Sequence, residues 1–297
     1  MTALVASLLL QTLAAAAPLL LPALGEVFLE RVGVINIGLE GLMVCGALAA
    51  VVVAVTTGSP WVGVLAAVAA GTAGAALFAL FGVGLRRDQV IVGTTVNFLA
   101  LGLTGVLYRA WSSGAGASKQ APTLPFLFGE GALSMNGLTL LALLLVPAAH
   151  WLLFRTRLGV TMRSAGEVPA AVAAAGTMVN RLRVLVALAT GALCGAGGAA
   201  LSVGISNTFT EGMTGGRGFI ALAVVVFGRW SPLGALGASL LFAAADIAQL
   251  RLQAAGALKV PYPVFLAIPY LLTLVALAVR GAKVRPPAAL GTPFEQG

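Results

Sequence analysis

Long apolar stretches separated by short polar breaks run along almost the whole chain. A transmembrane helix needs about 20 apolar residues, and most of these stretches reach that length. The pattern predicts nine crossings, at about residues 2–25, 33–56, 61–85, 89–108, 138–154, 184–205, 218–230, 232–250 and 262–279. The seventh, GFIALAVVVFG, covers only about half a span, so it is either a tilted, extended helix or a short helix inside the bundle.

Composition indicates that lipid surrounds most of the folded chain. The 297 residues are 60% hydrophobic and 9% charged, whereas soluble domains contain about 25% charged residues. We predict an all-α, polytopic transmembrane helical bundle of about nine crossings with broken helices, formed as one domain by residues 1–285. The short Pro-rich tail, 286–297, is expected to be disordered.

Basic residues are distributed unevenly between the predicted loops. Twelve lie on one side of the membrane, five of them in the long loop 155–183, and five lie on the other side. Because the side richer in Lys and Arg is usually cytoplasmic, the N-terminus should face outward and the C-terminus the cytoplasm. The net charge of +8 does not indicate nucleic-acid binding, since no basic run exceeds two residues.

The sequence lacks the residues of a self-sufficient motor or enzyme. A phosphate-binding loop requires Gly-Lys followed by Ser or Thr, and none of the three lysines follows a glycine. We therefore expect no cofactor in this chain, with ATP bound by another polypeptide. Paired carboxylates and His or Cys clusters are missing from the sequence, so we predict no catalytic or metal site. Only two acids, Glu40 and Asp246, lie within the predicted crossings, and proton coupling usually needs more ionisable groups there. A gradient-driven secondary transporter or channel is therefore the less favoured alternative.

The stretch ERVGVINIGLEGLM, residues 30–43, places glycines and polar residues at the start of an apolar run. Glycine is costly in a helix, so the pattern predicts a helix that is either interrupted or tightly packed. On a helix, Asn36 and Glu40 would share a face. They would either brace the break, with Glu40 capping freed amides or pairing with Arg31, or hydrogen-bond a polar solute. Thr94 and Asn97 in the fourth crossing are further candidates for the solute pathway, with helix–helix hydrogen bonding as the alternative.

The long inner loop contains a second motif, GEVPAAVAAAG. A proline near the first helical position and a glycine after the last are typical of a short helix. This helix either lies on the cytoplasmic leaflet or docks a cytoplasmic partner, since alanines permit close backbone approach. The residues we assign to docking are Arg163, Glu167, Pro169, Ala170, Ala171 and Gly176.

Four stretches of the chain resemble the membrane permeases of bacterial ABC importers for branched-chain amino acids, simple sugars and nucleosides. They are ERVGVINIGLEGLM (30–43), RRDQVIVGTTVNFLA (86–100), TRLGVTMRSAGEVPAAVAAAGTMVNRLRVLVALATGALCGAGGAAL (156–201) and GRGFIALAVVVFGRWSPLGALGASLLF (216–242). The first is most similar to the nucleoside branch, which makes nucleosides the favoured substrate and sugars or branched-chain amino acids the alternatives.

The resemblance implies an inner-membrane permease with a type II-like importer fold. It further implies a second homologous permease, a cytoplasmic ABC ATPase, and an extracytoplasmic binding lipoprotein that delivers substrate. The docking helix at 167–176 would then transmit ATP-driven closure to the pathway.

Overall fold

The computed structural model describes residues 2–113, 120–128, 135–254 and 285–295. Its elements, in chain order, are α1 (Thr2–Arg31), α2 (Leu39–Thr57), α3 (Pro60–Ala79) with a π-helical turn (Leu80–Gly84), α4 (Gln89–Ser112), β1 (Phe126–Phe128), β2 (Met135–Asn136), α5 (Gly137–Arg155), α6 (Arg157–Glu167), α7 (Pro169–Ala174), α8 (Val179–Leu201) with a π-helical turn (Ser202–Ser206), α9 (Arg217–Phe227) and α10 (Pro232–Ala254). The two short strands pair antiparallel.

Seven of the described helices are long and apolar enough to cross a membrane, which confirms a polytopic helical architecture. They correspond to the first six predicted crossings and the eighth. The seventh prediction falls on α9, which has only 11 residues and matches the short-helix alternative. The ninth, 262–279, lies outside the described residues, so the count of nine stays a prediction.

Small residues bring α8 close to α1, α2 and α3, which surround it. A Cβ atom on Gly46 of α2 would lie 2.5 Å from the Cα of Gly195 on α8, and one on Gly71 of α3 would overlap the carbonyl of Gly191. In lipid, helices associate through close backbone packing of this kind. The glycines of α8 are therefore packing positions, and they fix the scaffold around which the other helices are arranged.

The short helix α9 packs against α1, α2 and α10. Its 11 residues span about 16 Å, roughly half of a hydrocarbon core about 30 Å thick. Its last residues lie beside the end of α1, since the side chain of Arg31 reaches the carbonyl of Trp230. The N-terminus of α9 therefore lies within the membrane layer, and the irregular residues 207–216 connect it to the π-helical turn after α8.

The described part of the tail packs against the rest of the protein, in contrast to the disorder expected for 286–297. Ala289 is buried, and its amide donates to the carbonyl of Gly166 at 2.8 Å. The amide of Gly291 donates to the carbonyl of Gly33 at 3.2 Å. Small residues let the tail backbone come close enough to form these bonds, and composition alone does not show that partners exist for it.

Candidate functional site

The motif at residues 30–43 forms a buried loop between two helices. Helix α1 ends at Arg31 and α2 begins at Leu39, so the predicted interruption lies at 32–38. Gly33 has a φ of +87°, a conformation that favours glycine. A Cβ atom there would also lie 2.8 Å from Nη2 of Arg183. Asn36 lies in the loop, so the expectation that Asn36 and Glu40 share a helical face is wrong.

Side chains from α1, from α4 and from the loop itself satisfy the amides of this loop. The amide of Asn36 donates to Oε1 of Glu26 at 2.8 Å, and the amide of Ile35 donates to Oε1 of Gln89 at 2.9 Å. Oδ1 of Asn36 accepts from the amide of Gly38 at 2.8 Å. Non-helical backbone at membrane depth is tolerated only when it is buried in protein or lines a cavity, and these bonds meet that requirement.

Asn97 on α4 closes the loop from the other side. Its Oδ1 accepts from the amide of Gly41 at 2.7 Å, and its Nδ2 donates to the carbonyl of Ile37 at 2.8 Å. Thr94 is half-buried, and its hydroxyl donates to the carbonyl of Val90 within the same helix. Asn97 thus joins the loop, whereas Thr94 does not. The proposal that these residues contact solute stays a prediction.

The buried carboxylate of Glu40 binds the start of α9. Oε1 accepts from the hydroxyl of Thr214 at 2.5 Å and from the amide of Gly216 at 2.9 Å, and Oε2 accepts from the amide of Gly218 at 2.7 Å. The first amides of a helix lack intrahelical partners, and a negative charge there is favoured by the helix dipole. Of the roles considered for Glu40, the geometry supports the capping of a broken helix.

The same motif also holds the other end of α9. Oε2 of Glu30 accepts from Nε1 of Trp230, and Nε of Arg31 donates to the carbonyl of Trp230 at 2.8 Å. Arg229 and Trp230 both have positive φ angles, of 55° and 53°. Arg31 is therefore engaged with the turn after α9 and does not form the pair with Glu40 that the sequence also allowed.

The predicted docking residues lie within and on both sides of α7, which is shorter than expected. Glu167 ends α6, and α7 covers only Pro169–Ala174. Ala170, Ala171 and Gly176 are exposed and Pro169 is half-buried. The half-buried Arg163 donates through Nε to the carbonyl of Gly159 and lies over the ring of Phe154, with its guanidinium carbon 5.2 Å from the ring centroid.

Several residues that organise the site escaped the sequence analysis. Glu26 and Gln89 support the loop from α1 and α4. Arg183, only 1% exposed, donates to the carbonyls of Val32 and Thr292 at 3.0 and 3.1 Å. Nothing local in the sequence marks these three. Asp88 caps α4 by accepting from two amides, and an acid directly before an apolar run was a usable signal.

Comparison with known proteins places the chain among transporter permeases. A family model described as a permease component of branched-chain amino acid transport systems matches residues 8–277. The guanosine ABC transporter permease protein NupQ of Bacillus subtilis is 36% identical, over 96% of this chain and 95% of its own length. The nucleoside ABC transporter permease protein NupC of Lactococcus lactis is 34% identical over 93% of each chain.

The putative glucose ABC transporter permease protein TsgC13 of Haloferax volcanii is 38% identical, over 84% of this chain and 78% of its own length. No solved structure matches the chain. The described helices agree with a multi-pass membrane subunit of this kind, for which the family implies an ATPase and a binding protein as partners. The protein belongs to the ABC transporter permease family that includes the permease components of branched-chain amino acid transport systems.

Proposed function

We propose that this protein is the membrane-spanning subunit of an ATP-driven importer that takes up nucleosides. It pairs with a second homologous permease in a type II-like importer fold within the plasma membrane. A binding protein delivers solute from outside, and an ABC ATPase docks on the side that carries loop 155–183. The N-terminus then faces outward and the C-terminus the cytoplasm.

The observation that carries the nucleoside assignment is near full-length similarity to two permeases named for nucleosides. They match 96% and 93% of this chain at 36% and 34% identity. Simple sugars are the second candidate, because a permease named for glucose is 38% identical over 84% of the chain. Branched-chain amino acids, which the family description names, are the third.

Uptake by the assembled transporter decides between these substrates. The complete complex, in cells that lack other transporters for these solutes, should accumulate labelled guanosine and not labelled glucose or leucine. An inactive ATPase subunit should abolish accumulation, because the proposed importer has no other source of work. Accumulation of glucose or leucine alone, or accumulation that persists without ATP hydrolysis, would overturn the assignment.

The surface around α7 supports the proposed docking role. The helix and its flanks expose Val168, Ala170, Ala171 and Met178, with the first and last 56% and 62% exposed. Small side chains on a short helix allow a partner groove to approach the backbone closely. Its buried face is fixed by Val172, which packs with Ala165 and Val179. Force applied to α7 therefore reaches α6 and α8 directly.

Two substitutions test this docking surface. Glu167→Arg reverses an exposed charge beside α7, and Ala171→Trp places a bulky side chain on its exposed face. Both should abolish co-purification of the ATPase while membrane insertion and the second permease are retained. Leu127→Trp, at an exposed position on β1, is the matched control and should leave the complex intact. Undiminished ATPase recovery with both α7 variants would refute the role.

A further inference from the structure

The segment 207–216 is irregular backbone that enters the membrane layer. It begins beside residue 121, whose amide donates to the carbonyl of Asn207 at 2.7 Å, and it ends where Glu40 caps α9. Phe209 anchors it by packing on Tyr108, with ring centroids 5.0 Å apart. Thr210, Glu211, Gly212 and Gly215 are exposed. Because lipid cannot satisfy the polar groups of irregular backbone, the inner end of this segment is either covered by another protein or lines a water-filled cavity.

Two ion pairs connect this segment and the start of α9 to neighbouring helices at different depths. Glu211 lies 3.3 Å from Nε of Arg109, in the last turn of α4. Arg217, at the start of α9, lies 3.8 Å from Asp246 of α10. Asp246 lies 14 residues beyond the start of α10, or about 21 Å along that helix. In the proposed orientation the first pair is at the outer mouth and the second is in the outer half of the membrane.

The Arg217–Asp246 pair is incompletely satisfied and partly accessible. The side chains are 32% and 28% exposed. Charged groups facing lipid are costly, and those inside membranes usually face a cavity or mark a substrate pathway. The separation of 3.8 Å exceeds hydrogen-bond length, so each group keeps capacity for another partner. Nη1 of Arg217 meanwhile donates to the carbonyl of Thr214 at 3.3 Å, which fixes the side chain against the segment.

We propose that Arg217 and Asp246 bind the hydroxyl groups of an uncharged polyhydroxylated solute in the outer half of the pathway. A vicinal diol, such as that of ribose, can donate one hydroxyl proton to the carboxylate and accept from the guanidinium. A guanidinium has only donors and a carboxylate only acceptors, whereas each hydroxyl is both a donor and an acceptor, so a diol can bridge the pair with one hydroxyl on each group. This inference rests on the proposed function, because it deepens the identity of the solute and its route.

Thiol labelling tests the cavity without any need for transport. Thr210→Cys and Asp246→Cys are made where Cys45 and Cys194 are replaced by alanine. A water-soluble, membrane-impermeant thiosulfonate added from outside should label both. Leu144→Cys is the control on α5, since this side chain is 59% exposed on an apolar helix. Labelling of Asp246→Cys no faster than of Leu144→Cys would overturn the inference, whichever solute the importer carries.

Analogue uptake then tests recognition of the diol. We compare the uptake of a ribonucleoside with that of its 2′,3′-dideoxy analogue in wild type and in Asp246→Asn. Asp246→Glu is measured if Asp246→Asn takes up neither solute. Exchange of a hydrogen bond to a charged carboxylate for one to a neutral amide should reduce discrimination between the two solutes by about tenfold. Glu295→Gln, which breaks an exposed ion pair with Arg86, should not change it.

The outcomes separate the two proposals. A lower uptake rate with unchanged discrimination would mean that Asp246 only supports the structure, and a reduced discrimination would support contact with the diol. Selective loss of leucine uptake would assign the pair to a zwitterion and overturn the diol. If the wild type takes up no nucleoside at all, the proposed function fails, and labelling still reports whether the pair faces water.

Discussion

Replacing Glu40 by glutamine should destabilise the protein by uncoupling α2 from the start of α9. The substitution keeps the size of the side chain but exchanges one carboxylate oxygen for an amide NH2, which cannot accept a hydrogen bond. In either orientation of the amide, glutamine loses an acceptor that now serves Gly218, or Thr214 and Gly216. The position is buried, so water does not readily replace the lost partner.

The expected magnitude follows from two contributions. A hydrogen bond to a charged group contributes about 1.5–3 kcal/mol, and a negative charge at a helix N-terminus contributes about 0.3–2 kcal/mol. Because these contributions overlap, we expect the free energy of unfolding to fall by about 2–4 kcal/mol. Glu295→Gln removes an exposed ion pair on the tail and should cost less than about 1 kcal/mol.

Titration of the purified protein with SDS in mixed micelles measures this change in unfolding free energy for both variants. Uptake by the complete importer is measured in parallel. The capping role predicts that stability and uptake fall together in Glu40→Gln. A variant with wild-type stability and no uptake would show instead that Glu40 contacts solute, and would refute the reasoning. Equal losses in both variants would show that α9 is held by other contacts.

Three further substitutions test the scaffold and the tail. Gly46→Ala places a Cβ 2.5 Å from the Cα of Gly195, so it should lower the unfolding free energy by about 1–3 kcal/mol. Gly102→Ala meets nothing within 4 Å and should stabilise α4 by up to about 1 kcal/mol. If SDS titration showed Gly102→Ala to be less stable than Gly46→Ala, the packing account would be contradicted. Arg183→Gln removes the bond to the carbonyl of Thr292 and should speed carboxypeptidase digestion of the tail, whereas an unchanged digestion rate would show that other contacts hold it.

Apolar length predicted the spanning helices well, because hydrophobicity at this scale is a local property of the sequence. The start of α2 is different. The glycines of residues 30–43 indicated an interruption, yet the helix begins at Leu39 because its loop is held by Glu26, Gln89 and Asn97. These partners are 10, 54 and 56 residues away from the amides that they accept from. Periodicity within one segment carries no information about such contacts.

The role of Glu40 shows the same limit for the candidate site. A carboxylate in an apolar run indicates a function, and the sequence could narrow it to bracing or solute contact. What separates them is the position of the amides of Gly216 and Gly218, about 180 residues further along the chain. The Gly-rich segment before α9 was visible in the sequence. The sequence did not show that this segment is exposed beside Arg217 and Asp246, because that exposure depends on how α10 packs.

The motif at residues 30–43 holds both ends of α9. Arg31 binds the carbonyl of Trp230 after the helix, and Glu40 binds the amides at its start. Because both ends of α9 are bound to this motif, we expect the helix and the motif to move together. Gly166 of α6 packs directly on the carbonyl of Arg31, where a Cβ atom would overlap it. If α7 is the docking helix, its displacement would reach the Arg217–Asp246 pair through α6, residues 30–43 and α9. An ATPase that moves α7 would then change the spacing of that pair, and so the affinity of the pathway for a hydroxylated solute.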